Sequence, residues 1–333
     1  MTVRKTAGFY GSTALTASQT SAEADTYAID SYNDLVDSPM MYNRPDTTVL
    51  KVGGADVLVS VYSPNRTLSA REVGNTIQPM LEAQKNYLGG KLPIKKYAFL
   101  IYLFDQNPKS GKMGALEHSY SSFYCLPEAG IAELGQTLRD VAAHEFFHIL
   151  TPLSIHSEQI HYFDFNKPQM SKHLWLYEGM TEYFAGHMQM REKLIDLEKY
   201  AQVLRDKFYG ADQYNDTLPF TVMSKGCLDV YKDQYDNVYQ KGTLIGLCLD
   251  IKLRQLSGGK YGVQNMMADL AKMYGKDKPF KDEELFDVIA KMTYPEIRTF
   301  FKRHVEGPEP LPLEECFAAV GISYKARGGV QKV

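Results

Sequence analysis

Two apolar runs stand out in the first third of the chain, Val57 to Tyr62 (VLVSVY) and Tyr97 to Phe104 (YAFLIYLF). Both are short and rich in β-branched and aromatic residues, so both predict strands, the second of them buried. Between them the spacing changes. Val73, Ile77 and Leu81 recur one helical turn apart, and Ser69 with Glu72 has the form of a capping box. Pro79 predicts a kink in that helix and Gly89-Gly90 its end.

From about Gly135 onward the pattern is helical. Predicted helices cover Thr137–Leu150, stopped by Pro152, and Ser171–Met190, with another ending near Gly210. Further helices fall at Tyr239–Leu256, stopped by Gly258-Gly259, and at Gly262–Tyr274. Shorter ones are expected around Glu283–Lys291, Tyr294–His304 and Leu313–Val320. Residues 1–48, rich in Ser, Thr, Ala and Asp, read as the end of a β-rich domain or an extended segment, and 49–333 as one larger domain. A mixed sheet in front and helices behind predicts an α+β fold.

Composition narrows the function classes. The 333 residues are 44% apolar and 23% charged, ordinary for a folded chain with ample core. A formal net charge of −3, with no dense Lys/Arg stripe, gives no footprint for nucleic acid. The longest apolar run is too short to span a bilayer, and the opening MTVRKTAGFYGSTALTAS lacks the apolar stretch of an export signal. Cys125, Cys227, Cys248 and Cys316 show no CxxC spacing, so they predict buried thiols and no thiolate metal site.

The chemistry is concentrated in His144-Glu145-Phe146-Phe147-His148. Four residues of helix bring both imidazoles to one face, where they can share one ion, and Glu145 falls beside that face as a general base. Leu138, Val141, Ala142 and Ile149 supply the buried side of the helix. A catalytic zinc takes a third protein ligand and keeps one position open. A metzincin would place a Gly and a His at positions held here by Thr151 and Ser154, so that pattern is excluded. The segment LWLYEGMTEYF offers Glu178 and Glu182 one turn apart. Glu178 is favoured, because Gly179 lets two helices approach closely, and Glu182 could then accept the outer N–H of a ligand histidine. His156, His161, Asp164 and His173 are rival ligands in the intervening loop.

At these residues the chain resembles the gluzincin peptidases, and more narrowly the glycyl aminopeptidase family. The resemblance runs from about Tyr32 to Tyr324 through YNDLVDSP, GALEH at Gly114–His118, HEFFH, LWLYEGMTEYF, VYQKGTLIGLCLDIKLR at Val238–Arg254, TFFKRHVEG and LPLEECFAAVGISY. It implies a thermolysin-like catalytic domain over 49–333, one Zn2+ ion and a peptide substrate with a small amino-terminal residue such as Gly or Ala. It further implies an extracytoplasmic place in bacteria, and it implies that the family's C-terminal PDZ-like module is missing here. Glu117 resembles the Glu of the GAMEN-like exopeptidase motif, on an edge strand where it would bind a free α-amino group, with Gly114 and Ala115 beside the peptide. Tyr239 resembles the tyrosine that donates to the oxyanion of the tetrahedral intermediate. The chain departs from the family where Ile149-Leu150-Thr151 replaces a Trp and where Ala115 replaces a Gly. An endopeptidase on the same scaffold, or an inactive peptide-binding protein, are the competing readings.

Overall fold

The computed structural model describes residues 1–324, which form two compact units. The first comprises Met1–Ile149 with Ala185–Ile195, and the second Leu150–Phe184 with the chain from Asp196 onward.

The first unit opens with β1 (Thr2–Arg4), β2 (Tyr10–Ser12), β3 (Ala17–Thr20) and β4 (Ala24–Tyr27), then α1 (Tyr32–Val36) and β5 (Met41–Asn43). These strands form a three-stranded sheet, β1-β4-β3, and a β2-β5 pair. There follow β6 (Thr47–Val52), β7 (Ala55–Tyr62), α2 (Ala70–Tyr87), β8 (Lys96–Phe104), β9 (Gly114–His118), β10 (Ser121–Pro127) and α3 (Ile131–Phe147). The five strands make one mixed sheet in the order β6-β7-β8-β10-β9, with β7, β8 and β10 parallel to one another. Both predicted strands lie at its centre, where neighbours on either side demand apolar side chains.

Register and alternation decide what each face carries. One row runs Val59–Phe99–Ser122–Glu117 across four strands, and its neighbour runs Val61–Ile101–Tyr124–Ala115. Helices α2 and α3 cover this face: Phe146 of α3 packs edge-on against Tyr97 and stacks near Phe99, with centroids 4.9 and 6.1 Å apart. The opposite face carries Leu58, Leu100 and Phe123, packed with Ala14. Glu117 therefore stands on the helix-covered face, at the open edge of the sheet.

Local signals explain the helices. The Ser69–Glu72 capping box forms as predicted, and α2 runs through Pro79 to a cap at Leu88, followed by Gly89 at φ 85° and Gly90 at φ 90°. Helix α3 starts at Ile131, ahead of the predicted Thr137, because Gly130 rather than a residue near Gly135 is its N-cap. It ends at Phe147, so His148 is its C-cap.

The second unit is helical: α4 (Glu158–His161), α6 (Leu197–Ala211), α7 (Phe220–Gly226), α8 (Asn237–Leu256), α9 (Val263–Met273), α10 (Leu285–Met292), α11 (Pro295–His304) and α12 (Leu313–Ala319). The predicted helix over Ser171–Met190 resolves into a π-helical turn at Trp175–Gly179 running into α5 (Met180–Arg191). Helix α8 is the hub, and α6, α9, α11, α12 and the π turn all pack on it. Its glycines set the spacing. A Cβ on Gly179 would lie 2.5 Å from the carbonyl carbon of Gly242, so the π turn and α8 meet backbone to backbone.

Candidate metal centre

In the first unit the intervening Phe-Phe of HEFFH orients the motif. Phe146 faces the sheet, and Phe147 packs edge-on against Tyr87 of α2 at 5.9 Å. With those rings committed to the core, His144, Glu145 and His148 are turned to another side of the helix. Two further bonds hold the backbone there. Gln84 Nε2 donates to the Ala143 carbonyl at 2.8 Å, and the Tyr97 hydroxyl donates to the Glu145 carbonyl at 3.2 Å.

The Nε2 atoms of His144 and His148 lie 3.1 Å apart, with the rings steeply inclined at 77°. Two nitrogens bound tetrahedrally to one zinc ion stand about 3.3 Å apart, so this convergence fits a shared ion. One ligand atom from each of Glu117, Glu145 and His148 falls within 4.8 Å of the others. Strand β9 and the HEFFH helix thus meet within the first unit. Burial raises the Tyr97 and Tyr124 phenols well above their usual range, and the nearby negative charge of Glu145 adds to that rise. Both phenols stay neutral. Ser122 ties them in, donating to the Tyr124 oxygen at 3.1 Å.

In the second unit Glu178 is buried in the π turn, one residue before Gly179. The Cys227 thiol is pushed up to about 11, chiefly by burial and further by the Glu178 charge. Tyr239 sits near the start of α8, one turn before Gly242, with its hydroxyl 3.3 Å from that of Tyr235. The close pass of Gly179 and Gly242 therefore fixes the carboxylate-bearing and phenol-bearing segments against each other. The helix approach expected at Gly179 is made to α8. Glu182 accepts from Lys207 at 2.6 Å, and the pair is mostly shielded from solvent.

The rival histidines are committed elsewhere. His173 Nε2 contacts the Asp282 carbonyl at 2.7 Å, and its Nδ1 accepts from the Trp175 indole at 3.0 Å. Burial lowers its pKa to about 4, so it stays neutral. His156 contacts the Pro152 carbonyl through Nδ1 and His161 Nδ1 through Nε2, and burial lowers its pKa as well. Asp164 is exposed and accepts from the Asn166 amide. Reading by motif missed Gln84, Tyr97 and Lys207. Gln84 carried a signal, since it continues the Val73–Ile77–Leu81 stripe as a polar residue on a buried face.

Comparison with known proteins bears on the same segments. Residues 137–245, which span HEFFH, LWLYEGMTEYF and the start of α8, match the M61 glycyl aminopeptidase family, and residues 1–44 match its N-terminal domain. No curated protein sequence matches the chain. Among solved structures, an aminopeptidase N family protein from Idiomarina loihiensis is similar with a TM-score of 0.79 at 20% identity, over 93% of this chain and 55% of that one. An M1 zinc metallopeptidase from Deinococcus radiodurans is similar at 0.58 and 15% identity, over 93% of this chain and 64% of that one. A mutant of it bound to a Tyr-Ser-Ala substrate gives 0.59 and 14%, with the same coverage. At these identities the likeness is one of fold, an α+β architecture shared with those structures. The chain spans between about half and two thirds of those proteins' lengths. No helix among the described residues is long and apolar enough to cross a membrane.

Proposed function

We propose that this chain is a zinc aminopeptidase, with one zinc ion held by His144, His148 and Glu178. Two observations carry the reading: the Nε2 atoms of His144 and His148 converge at 3.1 Å, and ligand atoms of Glu117, Glu145 and His148 gather within 4.8 Å of one another. Two imidazoles and one carboxylate are a catalytic donor set that leaves a position open. Glu178 completes it as a buried carboxylate in the segment that resembles the family's ligand helix. Glu182, tethered by Lys207, is the acceptor for the outer N–H of a ligand histidine.

Zinc bound there supplies a Lewis acid and a water of lowered pKa. Glu145 takes the proton of the attacking water and returns it to the leaving amine nitrogen. The Tyr239 phenol donates to the oxygen on which negative charge develops. Glu117 pairs with the α-ammonium of the substrate, so cleavage is counted from the amino terminus. Gly114 and Ala115 present backbone with little side chain, leaving room for a peptide along β9, and the family resemblance points to small first residues, Gly or Ala. The same resemblance assigns 49–333 to the catalytic domain and an extracytoplasmic place to the protein.

The test is metal analysis and peptide hydrolysis for wild type and Glu145→Gln. The variant keeps its zinc while kcat falls by about 10²–10⁴; full activity would refute the general-base role. N-acetylation of the substrate separates the exopeptidase from an endopeptidase, because equal turnover of free and acetylated peptides removes any part for Glu117.

A further inference from the structure

The strand that carries Glu117 is anchored by a residue with no part in the chemistry described so far. Strands β9 and β10 are joined by two residues, Ser119 and Tyr120, since His118 pairs with Ser121. Two-residue hairpins are stable with Asn-Gly, Asp-Gly or a leading Gly, because their backbones need positive φ. Ser-Tyr is a poor loop of this kind, and Tyr120 is held at φ 53° without being a glycine. The turn therefore does little to choose its own register.

Asp37 supplies what the turn lacks. It caps the short helix α1 from the YNDLVDSP segment, with its own amide donating to the Asn33 carbonyl. Its Oδ1 lies 3.0 Å from His118 Nδ1, and its Oδ2 accepts from both the amide and the hydroxyl of Ser119, at 2.9 and 2.7 Å. The Ser119 amide also lies 3.2 Å from the Asp37 carbonyl. One residue thus grips both the last position of β9 and the first position of the loop. Alternation puts His118 on the opposite face from Glu117. A slip of one residue would carry Glu117 onto the face where Asp37 waits, carboxylate against carboxylate. In the observed register that place is taken by an imidazole that hydrogen-bonds to Asp37. The clamp rewards one register and penalises its neighbour.

We propose that Asp37 is a positioning residue for amino-terminus recognition: it fixes the register that points Glu117 at the substrate's α-ammonium group. The proposal rests on the reading of Glu117 given above. The experiment measures kcat and KM on a Gly-initiated peptide with a free and with an acetylated amino terminus. It compares wild type, Glu117→Ala, Asp37→Ala and Asp37→Asn. Asp37→Ala is expected to reduce the preference for the free amine about tenfold, through KM for the free peptide, since small misplacements of a binding group carry costs of that size. Zinc content and turnover of the acetylated peptide stay at wild-type levels. Asp37→Asn, which keeps one acceptor oxygen, falls between, and it decides the matter if the alanine variant does not fold. Equal losses on both peptides would mean a merely structural residue and would overturn the proposal. So would an unchanged preference in the Asp37 variants while Glu117→Ala abolishes it. If Glu117→Ala itself leaves the preference intact, the reading of Glu117 fails and this proposal falls with it.

Discussion

Gly179→Ala tests whether the contact between the π turn and α8 sets the geometry of the site. The added Cβ would stand 2.5 Å from the Gly242 carbonyl carbon and 2.6 Å from its Cα and oxygen, where ordinary contact begins at 3.4 Å. The obstacle is backbone, so no rotamer change relieves it, and the two segments must part by about 0.9 Å. Overpacking of this kind costs about 1–3 kcal/mol, partly offset by the roughly 0.5–1 kcal/mol that Ala gains over Gly in a helix. The net loss is on the order of 1–2 kcal/mol. The effect on activity is larger, because Glu178 precedes the contact by one residue and Tyr239 lies one turn before Gly242. A displacement near 1 Å at a reacting group costs on the order of a hundredfold. The assay is kcat/KM with zinc content and thermal unfolding on one preparation. Expected are a small drop in Tm, weakened zinc retention and a loss of activity well beyond the loss of stability. Wild-type kcat/KM and full zinc occupancy would refute the view that this contact positions the site.

Tyr239→Phe should lower kcat by about a hundredfold with little change in KM, as expected for a donor that acts only on developing charge; an unchanged kcat would remove it from the mechanism. Glu182→Gln should weaken zinc binding by about 10–100-fold in a chelator competition, and equal affinity would deny it contact with a ligand histidine. His173 makes acid stability measurable. Its folded pKa of about 4 lies below the ordinary 6.5, so the unfolded chain binds the proton first and stability falls as pH drops from about 6.5 to about 4. The loss is on the order of 3 kcal/mol. Urea midpoints across that range should slope less in His173→Gln than in wild type, and equal slopes would assign the acid sensitivity elsewhere.

The motif HEFFH was legible because a metal site imposes residue types at helical spacing, and the strands at the sheet centre were legible because burial on both faces imposes apolar runs. Helix α3 was placed a turn and a half late, since a glycine N-cap leaves no side-chain signature. The π turn was invisible because Trp175–Gly179 runs straight on into Met180–Arg191 with no break in the sequence pattern. Strand β9 shows no apolar alternation of its own and was placed only through the family motif. Asp37 lay inside a recognised motif, yet its partners stand more than eighty positions away in the chain. Pairings of that kind have no periodicity to betray them.

The position of β9 at the rim of the sheet has a colloidal consequence. An edge strand offers its backbone to any extended chain, and a long apolar edge seeds aggregation. This rim is five residues long, begins at Gly114 with φ 137° and carries the charge of Glu117, although Met113 and Leu116 expose apolar side chains there. Brevity, a glycine and one carboxylate are the means by which natural sheets discourage self-pairing. Replacing Glu117 by an apolar residue would then do more than remove a binding group. It would lower the barrier to association between molecules, and light scattering at high protein concentration would register the change even where no peptide is present.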